Sequence, residues 1–352
     1  MATKFPGILV PQAATNLPRD YAGYVVISDI DKTYLATQID SLGGLLKAAF
    51  EAPERKANVP GFSILLRALR RGGGDEALRN PLFFVSASPP QMEQKILAKM
   101  SLDGVETDGI IFKNQLRNVR KGNFKKLREQ VGYKLSALLS LWEELPASSR
   151  LLLFGDDSES DAVVYSLFRQ VVSGRVQGRT LAELLMHLGV FRDDALRLGW
   201  ASRHVRHASE PVEAVFINLE TGSQPLYYSR FGSRLYATEN SLQAALALYE
   251  KGFIRIQAVR SIARDLILHY DFNPRSLLRS LEEASRRGLF GVDTLDKLWP
   301  SLSEVGALPP PVAREASEGL ATRLQVERFG AAREGRMELN ELKRLYSEEG
   351  RY

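Results

Sequence analysis

The sequence of 352 residues contains no cysteine and no long apolar run. Without cysteine, disulfides, a thiol nucleophile and zinc sites with thiolate ligands are all excluded. No stretch approaches the ~20 apolar residues that a membrane-spanning helix needs. The apolar piece Ile8–Val10 is too short for the core of a signal peptide. We therefore expect a soluble cytoplasmic protein.

Histidine and nucleotide-binding motifs are also scarce. Only His204 and His207, among four histidines, have a metal-like spacing, and no third ligand is evident, so we interpret them as surface or interface residues. No P-loop motif occurs, which argues against a kinase of that class. The net charge of +5 permits attraction to phosphates or to an anionic membrane. It does not require a nucleic-acid partner, and we expect none.

Residues 24–33 are predicted to form a buried strand that ends in two acids. The apolar, β-branched run Tyr24–Ser28 is typical of such a strand, and Asp29 and Asp31 follow it. Because side chains alternate along a strand, both carboxylates can point the same way. Two adjacent acids are costly unless a cation such as Mg²⁺ binds them. One of them could also be a nucleophile that forms an aspartyl-phosphate, whereas the alternative is a turn that is merely acidic.

Polar residues follow two further predicted strands. Ser86 follows the run Leu82–Val85, and Asp156, Asp157 and Asp161 follow the run 151–154. Since parallel strands align their carboxyl ends, we expect these groups to converge on one site. Asp161 as a plain helix cap and Ser86 as a plain turn residue are the alternatives.

The alternation of strands and helices predicts an α/β fold, with a Rossmann-like parallel sheet covered by helices on both faces. A helix is expected after Ser88, which we interpret as its N-cap, and two more at 123–131 and 135–144. We expect the chain to begin with an irregular lead-in at 1–22, followed by a core at 23–175 that carries a small helical insertion at 34–80. A mainly helical region at 176–308 follows, with short strands at Val215–Leu219 and Leu226–Tyr228. Residues 309–352 are expected to form a Pro-rich linker and charged helices.

The order of these motifs resembles the haloacid dehalogenase superfamily of phosphohydrolases, and within it the App1-like phosphatidate phosphatases. The superfamily resemblance is carried by Asp29-Ile-Asp-Lys-Thr33, the strand-end Ser86, a lysine and Gly155-Asp-Asp-x-x-x-Asp161. The App1-like resemblance is carried by Val85-Ser-Ala-Ser-Pro89, by Tyr133-Lys134-Leu135 and by Val59-Pro-Gly-Phe62.

The resemblance implies a role for each residue. Asp29 would be the nucleophile and Asp31 the general acid and base, while Lys134, with Lys113 as a nearby rival, would balance the charge of the phosphate. Ser86 would hydrogen-bond the phosphoryl group. Thr33, Lys32 and Ala87 would complete the substrate-binding loops, with Thr33 supporting its own loop.

The implied cofactor is Mg²⁺. Asp29, Asp31 and Asp156 would bind it, and the sequence leaves open whether Asp157 or Asp161 is the additional acid. Lys32 and Ala87 depart from the group, which usually has Asp and Asn at those positions.

The resulting hypothesis is a Mg²⁺-dependent phosphomonoesterase that acts through an aspartyl-phosphate, with phosphatidate as one candidate substrate and peripheral contact with a membrane. The alternatives are a phosphatase for soluble metabolites or nucleotides on the same fold, and a non-catalytic module that binds phosphatidate or phosphate. Retention of both Asp29 and Asp31 argues against the last one.

Overall fold

The computed structural model describes residues 5, 8–36, 58–74, 79–113, 123–158, 160–310 and 339–346, with the side chains of 123–129 excepted. Most of the predicted insertion at 34–80 and of the charged segment at 309–352 lies outside these residues. Within the described part of the chain, no helix is long and apolar enough to cross a membrane.

Six parallel strands form one sheet, in the order β3-β2-β1-β4-β5-β6. Their bounds are β1 Tyr24–Ser28, β2 Leu82–Ser86, β3 Gly109–Phe112, β4 Arg150–Asp156, β5 Val212–Asn218 and β6 Leu235–Thr238. The predicted α/β fold with a parallel sheet is confirmed.

The described helices cover both faces of this sheet. They are α1 Gln12–Thr15, α2 Phe62–Arg71, α3 Glu93–Leu102, α4 Asn123–Glu144, α5 Asp161–Val172, α6 Gly178–His187, α7 Arg192–Ser202, α8 Ser241–Glu250, α9 Ile256–His269, α10 Pro274–Arg286, α11 Val292–Glu304 and α12 Leu339–Leu345, with short 3₁₀ helices at Pro90–Met92 and Pro225–Phe231.

The central strands are apolar throughout because both of their faces are buried. On one face, Val26 and Leu152 pack with α2, α3 and α8 to α11. On the other, Val25 and Leu151 pack with α4 to α7 and with α12. The rings of Phe154, Phe216 and Tyr236 stack across β4, β5 and β6, with centroids 5.1 and 5.0 Å apart. This stack joins the last two strands to the core of the sheet.

The predicted strand at 226–228 is wrong. Residues Pro225–Phe231 form a 3₁₀ helix, whose aromatic side chains pack against one another. Pro225 favours the start of a helical turn, whereas the Leu-Tyr-Tyr run resembles a strand only in composition. The strand of this region is β6, a few residues later. The prediction at Val215–Leu219 matches β5. The division of the chain at residue 175 stays a prediction, although β5 and β6 come from beyond it.

Two helix predictions also need correction. The helices predicted at 123–131 and 135–144 are one helix of 22 residues, α4. Gly132 does not interrupt it, and a Cβ at that position would lie 3.1 Å from Val190 Cγ1, so the glycine serves close packing. Ser88 does not cap a helix, because the 3₁₀ turn begins at Pro90 and is preceded by Pro89.

Candidate active site

The strand order places the candidate site at the point where the sheet reverses direction. β1 lies between β2 and β4, and chain connections leave β1 and β4 toward opposite edges of the sheet. In open α/β sheets the crevice beyond the carboxyl ends of two such strands is the usual ligand site. Asp29 follows β1, and its N–H donates to the carbonyl of Phe154 in β4 at 2.8 Å. Asp156 ends β4.

Three buried acids meet in this crevice. Asp29, Asp156 and Asp161 each offer a carboxylate oxygen, and these oxygens all lie within 4.8 Å of one another. Each of the three residues is at most 1% exposed. Buried carboxylates at this separation repel strongly unless a positive charge lies between them. This acid trio could therefore hold a metal ion, and its all-oxygen donor set fits a hard cation such as Mg²⁺.

Gly155 allows Asp161 to reach the trio. Asp161 is the first residue of α5, and a Cβ at position 155 would lie 2.4 Å from its Oδ2 and 2.5 Å from its Cβ. Real Cβ atoms do not come so close, so only glycine permits this contact between β4 and α5. The N–H of Asp156 donates to Asp161 Oδ2 at 3.3 Å, which fixes the orientation of the carboxylate.

Lys134 supplies a buried positive charge beside the trio. Its side chain projects from α4 and is 1% exposed. Its Nζ lies 3.0 Å from Asp29 Oδ1 and 2.5 Å from Asp161 Oδ1. The rival Lys113 follows β3, where its backbone N–H donates to the carbonyl of Ser86. Lys134 offsets part of the negative charge of the trio, whose carboxylate oxygens could still hold a metal ion.

Two tyrosines lie near this charged group, Tyr165 buried and Tyr133 partly buried. The Tyr165 hydroxyl donates to the carbonyl of Phe154 at 2.8 Å. Burial raises the pKa of Tyr165 well above its ordinary value, and the charge of Asp161 raises it further. Burial likewise raises the pKa of Tyr133, whose hydroxyl donates to the carbonyl of Ile111. Both phenols therefore stay neutral and serve as hydrogen-bond donors, not as bases.

Asp31 lies at the mouth of the crevice, in a turn closed by a bridge to Leu35. Its Oδ2 accepts a hydrogen bond from the Ser88 hydroxyl at 2.9 Å. The N–H of Ser88 in turn donates to Ser86 Oγ at 3.1 Å. Ala87 is half-buried between these two serines. The loops after β1 and β2 are thus joined through Asp31 and Ser88.

Thr33 and Ser158 orient Asp156. The Thr33 hydroxyl donates to Asp156 Oδ2 at 3.4 Å. The N–H of Ser158 donates to Asp156 Oδ1 at 2.6 Å, and the Ser158 hydroxyl donates to the same oxygen. Lys32, between Asp31 and Thr33, has a left-handed backbone conformation with φ of 58°. Hydrogen bonds on both oxygens hold the Asp156 carboxylate in one orientation, as expected of a metal ligand.

Asp157 lies outside the trio. Its carboxylate accepts hydrogen bonds from Glu220, Thr221 and Ser223, in the loop that follows β5. Of the two acids left open by the sequence, Asp161 is therefore the one beside Asp29 and Asp156.

Sequence reasoning missed the contributions of Ser88, Ser158 and Gly155. Ser88 and Ser158 each lie two residues after a predicted site residue, and Ser88 also stands within the motif Val85–Pro89 that carries the family resemblance. For Gly155, the signal was a glycine at the end of a strand, where a close approach to a helix is common.

One comparison with known proteins gives a match to this sequence. Residues 24–181 match the family model described as the catalytic domain of the phosphatidate phosphatase APP1. Comparison with curated proteins and with solved structures gives no match.

The matched segment contains the whole candidate site. It begins at the first residue of β1 and ends within α6, so that Asp29, Lys134 and Asp161 all lie inside it. This segment is therefore similar to the catalytic domain of that phosphatidate phosphatase. β5, β6 and the later helices lie beyond the match.

Proposed function

We propose that this protein is a Mg²⁺-dependent phosphomonoesterase that hydrolyses phosphatidate through a phosphorylated aspartate. One observation carries the proposal. Asp29, Asp156, Asp161 and Lys134 are buried together at the reversal point of the sheet, inside the segment that matches a phosphatidate phosphatase catalytic domain. Phosphoryl transfer depends on positioning and on neutralisation of charge, and this group of residues provides both.

Asp29 is the nucleophile in this proposal. One of its carboxylate oxygens attacks phosphorus, and the bond from phosphorus to the alcohol oxygen breaks. The Nζ of Lys134 lies 3.0 Å from Asp29 Oδ1, where it orients the carboxylate and offsets its charge. When the lysine stays in place, its charge also offsets the negative charge on the phosphoryl oxygens.

Asp31 is the general acid and base. In the first step its protonated carboxyl donates the proton to the leaving alcohol oxygen. In the second step it takes a proton from water while the water oxygen attacks phosphorus, the bond to Asp29 breaks, and phosphate leaves. The hydroxyl of Ser88 holds the Asp31 carboxyl at the mouth of the crevice, at 2.9 Å from Oδ2.

Asp29, Asp156 and Asp161 would hold Mg²⁺. The bound ion supplies charge stabilisation to the phosphoryl oxygens. The two donors from Ser158 and the hydroxyl of Thr33 keep Asp156 oriented toward that position. Ser86 is fully buried at the end of β2, and its Oγ accepts a hydrogen bond from the N–H of Ser88. In this proposal its hydroxyl donates to a phosphoryl oxygen.

The lipid substrate rests on the family match alone, because a fold does not fix the substrate. In this proposal the protein meets its lipid substrate from the aqueous side of the bilayer. The net charge of +5 favours contact with an anionic lipid surface.

The test is phosphate release with and without Mg²⁺ from phosphatidate in detergent micelles, glycerol phosphate, a nucleoside monophosphate and an aryl phosphate. We expect Mg²⁺-dependent release, with phosphatidate the preferred substrate, and loss of release in Asp29→Asn. Asp20→Asn, which changes an exposed acid outside the site, is the matched control.

Each contrary outcome has a defined meaning. If the protein prefers a soluble ester, its substrate is a soluble metabolite or nucleotide and not phosphatidate, on the same fold. No release from any ester by the wild-type protein with several divalent metals would favour a phosphate-binding module, and equal turnover by Asp29→Asn would remove Asp29 as the nucleophile.

A further inference from the structure

Asp157 binds a loop rather than the acid trio. Its Oδ1 accepts hydrogen bonds from the N–H groups of Glu220 and Thr221, at 2.8 and 2.9 Å. Its Oδ2 accepts from the Thr221 hydroxyl at 2.7 Å and from the N–H of Ser223 at 3.2 Å. A carboxylate has about four lone-pair positions. With two donors on each oxygen, Asp157 has little capacity left for a metal ion.

The loop that Asp157 binds begins beside the candidate site. The N–H of Asp157 donates to the carbonyl of Asn218 at 3.0 Å, and Asn218 is the partner of Asp156 across β4 and β5. Residues 219–224 follow directly. Asp157 is 1% exposed, so this loop covers it and forms a wall at the carboxyl edge of the sheet, next to Asp156.

Glu220, an exposed residue of this loop, is coupled to the loop after β1. Partial burial raises the pKa of Glu220, and the charge of Asp157 raises it further, while the charge of Lys32 lowers it. Lys32 directly follows Asp31. The side-chain N–H of Asn218 donates to Glu220 Oε2 at 3.5 Å, so the Glu220 carboxylate lies beside the residue that pairs with Asp156.

We propose that Asp157 is a positioning residue that fixes residues 219–224 as a wall of the active site, and that Glu220 on this wall selects against substrates whose alcohol part is negatively charged. The proposal rests on the proposed phosphatase function for its selectivity and on the hydrogen bonds of Asp157 for its geometry. A neutral alcohol part, such as a diacylglycerol, meets no repulsion from Glu220. An alcohol part with a further carboxylate or phosphate does.

The first experiment separates positioning from metal binding. Asp157→Asn is compared with Asp156→Asn by calorimetric titration of Mg²⁺ into the full chain. Asp156→Asn should weaken Mg²⁺ binding by about tenfold or more, whereas Asp157→Asn should change it by less than about threefold. Equal losses in the two variants would overturn the positioning role and return Asp157 to the metal site.

The second experiment observes the loop itself. An Asn side chain replaces one acceptor oxygen by a donor, so two of the four hydrogen bonds are lost. We expect native-state cleavage after Glu220 by a glutamate-specific protease to accelerate about tenfold in Asp157→Asn and to a smaller extent in Thr221→Val. Cleavage after Glu106, whose side chain is 62% exposed, is the internal reference. Unchanged cleavage after Glu220 would refute the anchoring of the loop.

The third experiment tests selection by charge. An aryl phosphate and the same compound with an added carboxylate are compared in wild type and Glu220→Gln. We expect the variant to improve kcat/KM for the carboxylated compound about threefold relative to the neutral one, through a lower KM and not a higher kcat. An unchanged ratio would overturn the selectivity. If the wild type hydrolyses neither compound, the phosphatase function and the selectivity fail, while the Mg²⁺ and protease results still decide the role of Asp157.

Discussion

Removal of the buried lysine is the most informative perturbation of the candidate site. Lys134→Met keeps the length and apolar stem of the side chain but removes its charge, which contacts Asp29 at 3.0 Å and Asp161 at 2.5 Å. The trio then loses the positive charge that contacts both Asp29 and Asp161. The variant should therefore be less stable at neutral pH, and this loss should depend on divalent metal.

The magnitude follows from the geometry. Carboxylate oxygens within 4.8 Å of one another repel by about 3 kcal/mol per pair at an effective dielectric constant of about 20. Protonation of one acid relieves part of this repulsion. Loss of one partner from a buried ion pair costs about 3–5 kcal/mol, and we expect a destabilisation in that range without metal. Mg²⁺ stabilises every variant that binds it, but the site without its lysine is more negative and should bind Mg²⁺ more tightly than the wild-type site. A tenfold lower dissociation constant would restore about 1.4 kcal/mol of the loss at saturating Mg²⁺.

The assay is urea unfolding of wild type and variant, with EDTA or with saturating Mg²⁺. Lys99→Met is the matched control, because Lys99 is also buried and pairs with Asp103 at 2.6 Å, away from the trio. It should lose stability to the same extent with and without Mg²⁺. Refutation would come from a Lys134→Met protein as stable as wild type in EDTA, or from equal Mg²⁺ effects on the two lysine variants.

Three further predictions concern other contacts. Gly155→Ala places a methyl group 2.4 Å from Asp161 Oδ2, so calorimetry should show that the Mg²⁺ affinity falls about tenfold or more. An unchanged Mg²⁺ affinity would contradict the role of the glycine. Ser88→Ala removes the donor to Asp31, so steady-state kinetics at saturating Mg²⁺ should show kcat lowered about tenfold with stability changed by about 1 kcal/mol, and an unaltered kcat would refute this positioning. Burial tends to raise the pKa of Glu210, but three arginines lower it overall. The ionised Glu210 therefore stabilises the folded protein at neutral pH, and this contribution is lost as the pH falls through the lowered pKa. Thermal unfolding should show Glu210→Gln destabilised by about 1–2 kcal/mol at pH 7, with a difference that shrinks below about pH 4, and a pH-independent difference would contradict the charged role.

Much of the sheet could be predicted because its central strands are buried on both faces. The apolar runs at 24–28, 82–85 and 151–154 match β1, β2 and β4, since a strand without a solvent face has no polar alternation. β6 was missed because Leu235–Thr238 carries no continuous run of bulky apolar residues. The continuity of α4 through Gly132 was not predicted either, because a glycine within a helical pattern lowers the local preference for helix.

The meeting of Asp29, Lys134 and the acids after β4 could be predicted from the order of the motifs. The choice between Asp157 and Asp161 could not. It depends on the close approach that Gly155 allows, and on a loop whose first contact with Asp157 comes from a residue 63 positions later. Side-chain direction at a strand end is set by such distant partners, which no local pattern reveals.

The central claim is that Asp29 carries the phosphoryl group during turnover. The most direct measurement is acid quenching during turnover of phosphatidate labelled in its phosphate, followed by proteolysis and mapping of the label. We expect Mg²⁺-dependent label on the peptide that contains Asp29. Asp31→Asn should carry more label, because hydrolysis of the intermediate is slowed, and Asp29→Asn should carry none. Label on another residue, or full turnover by Asp29→Asn, would contradict it.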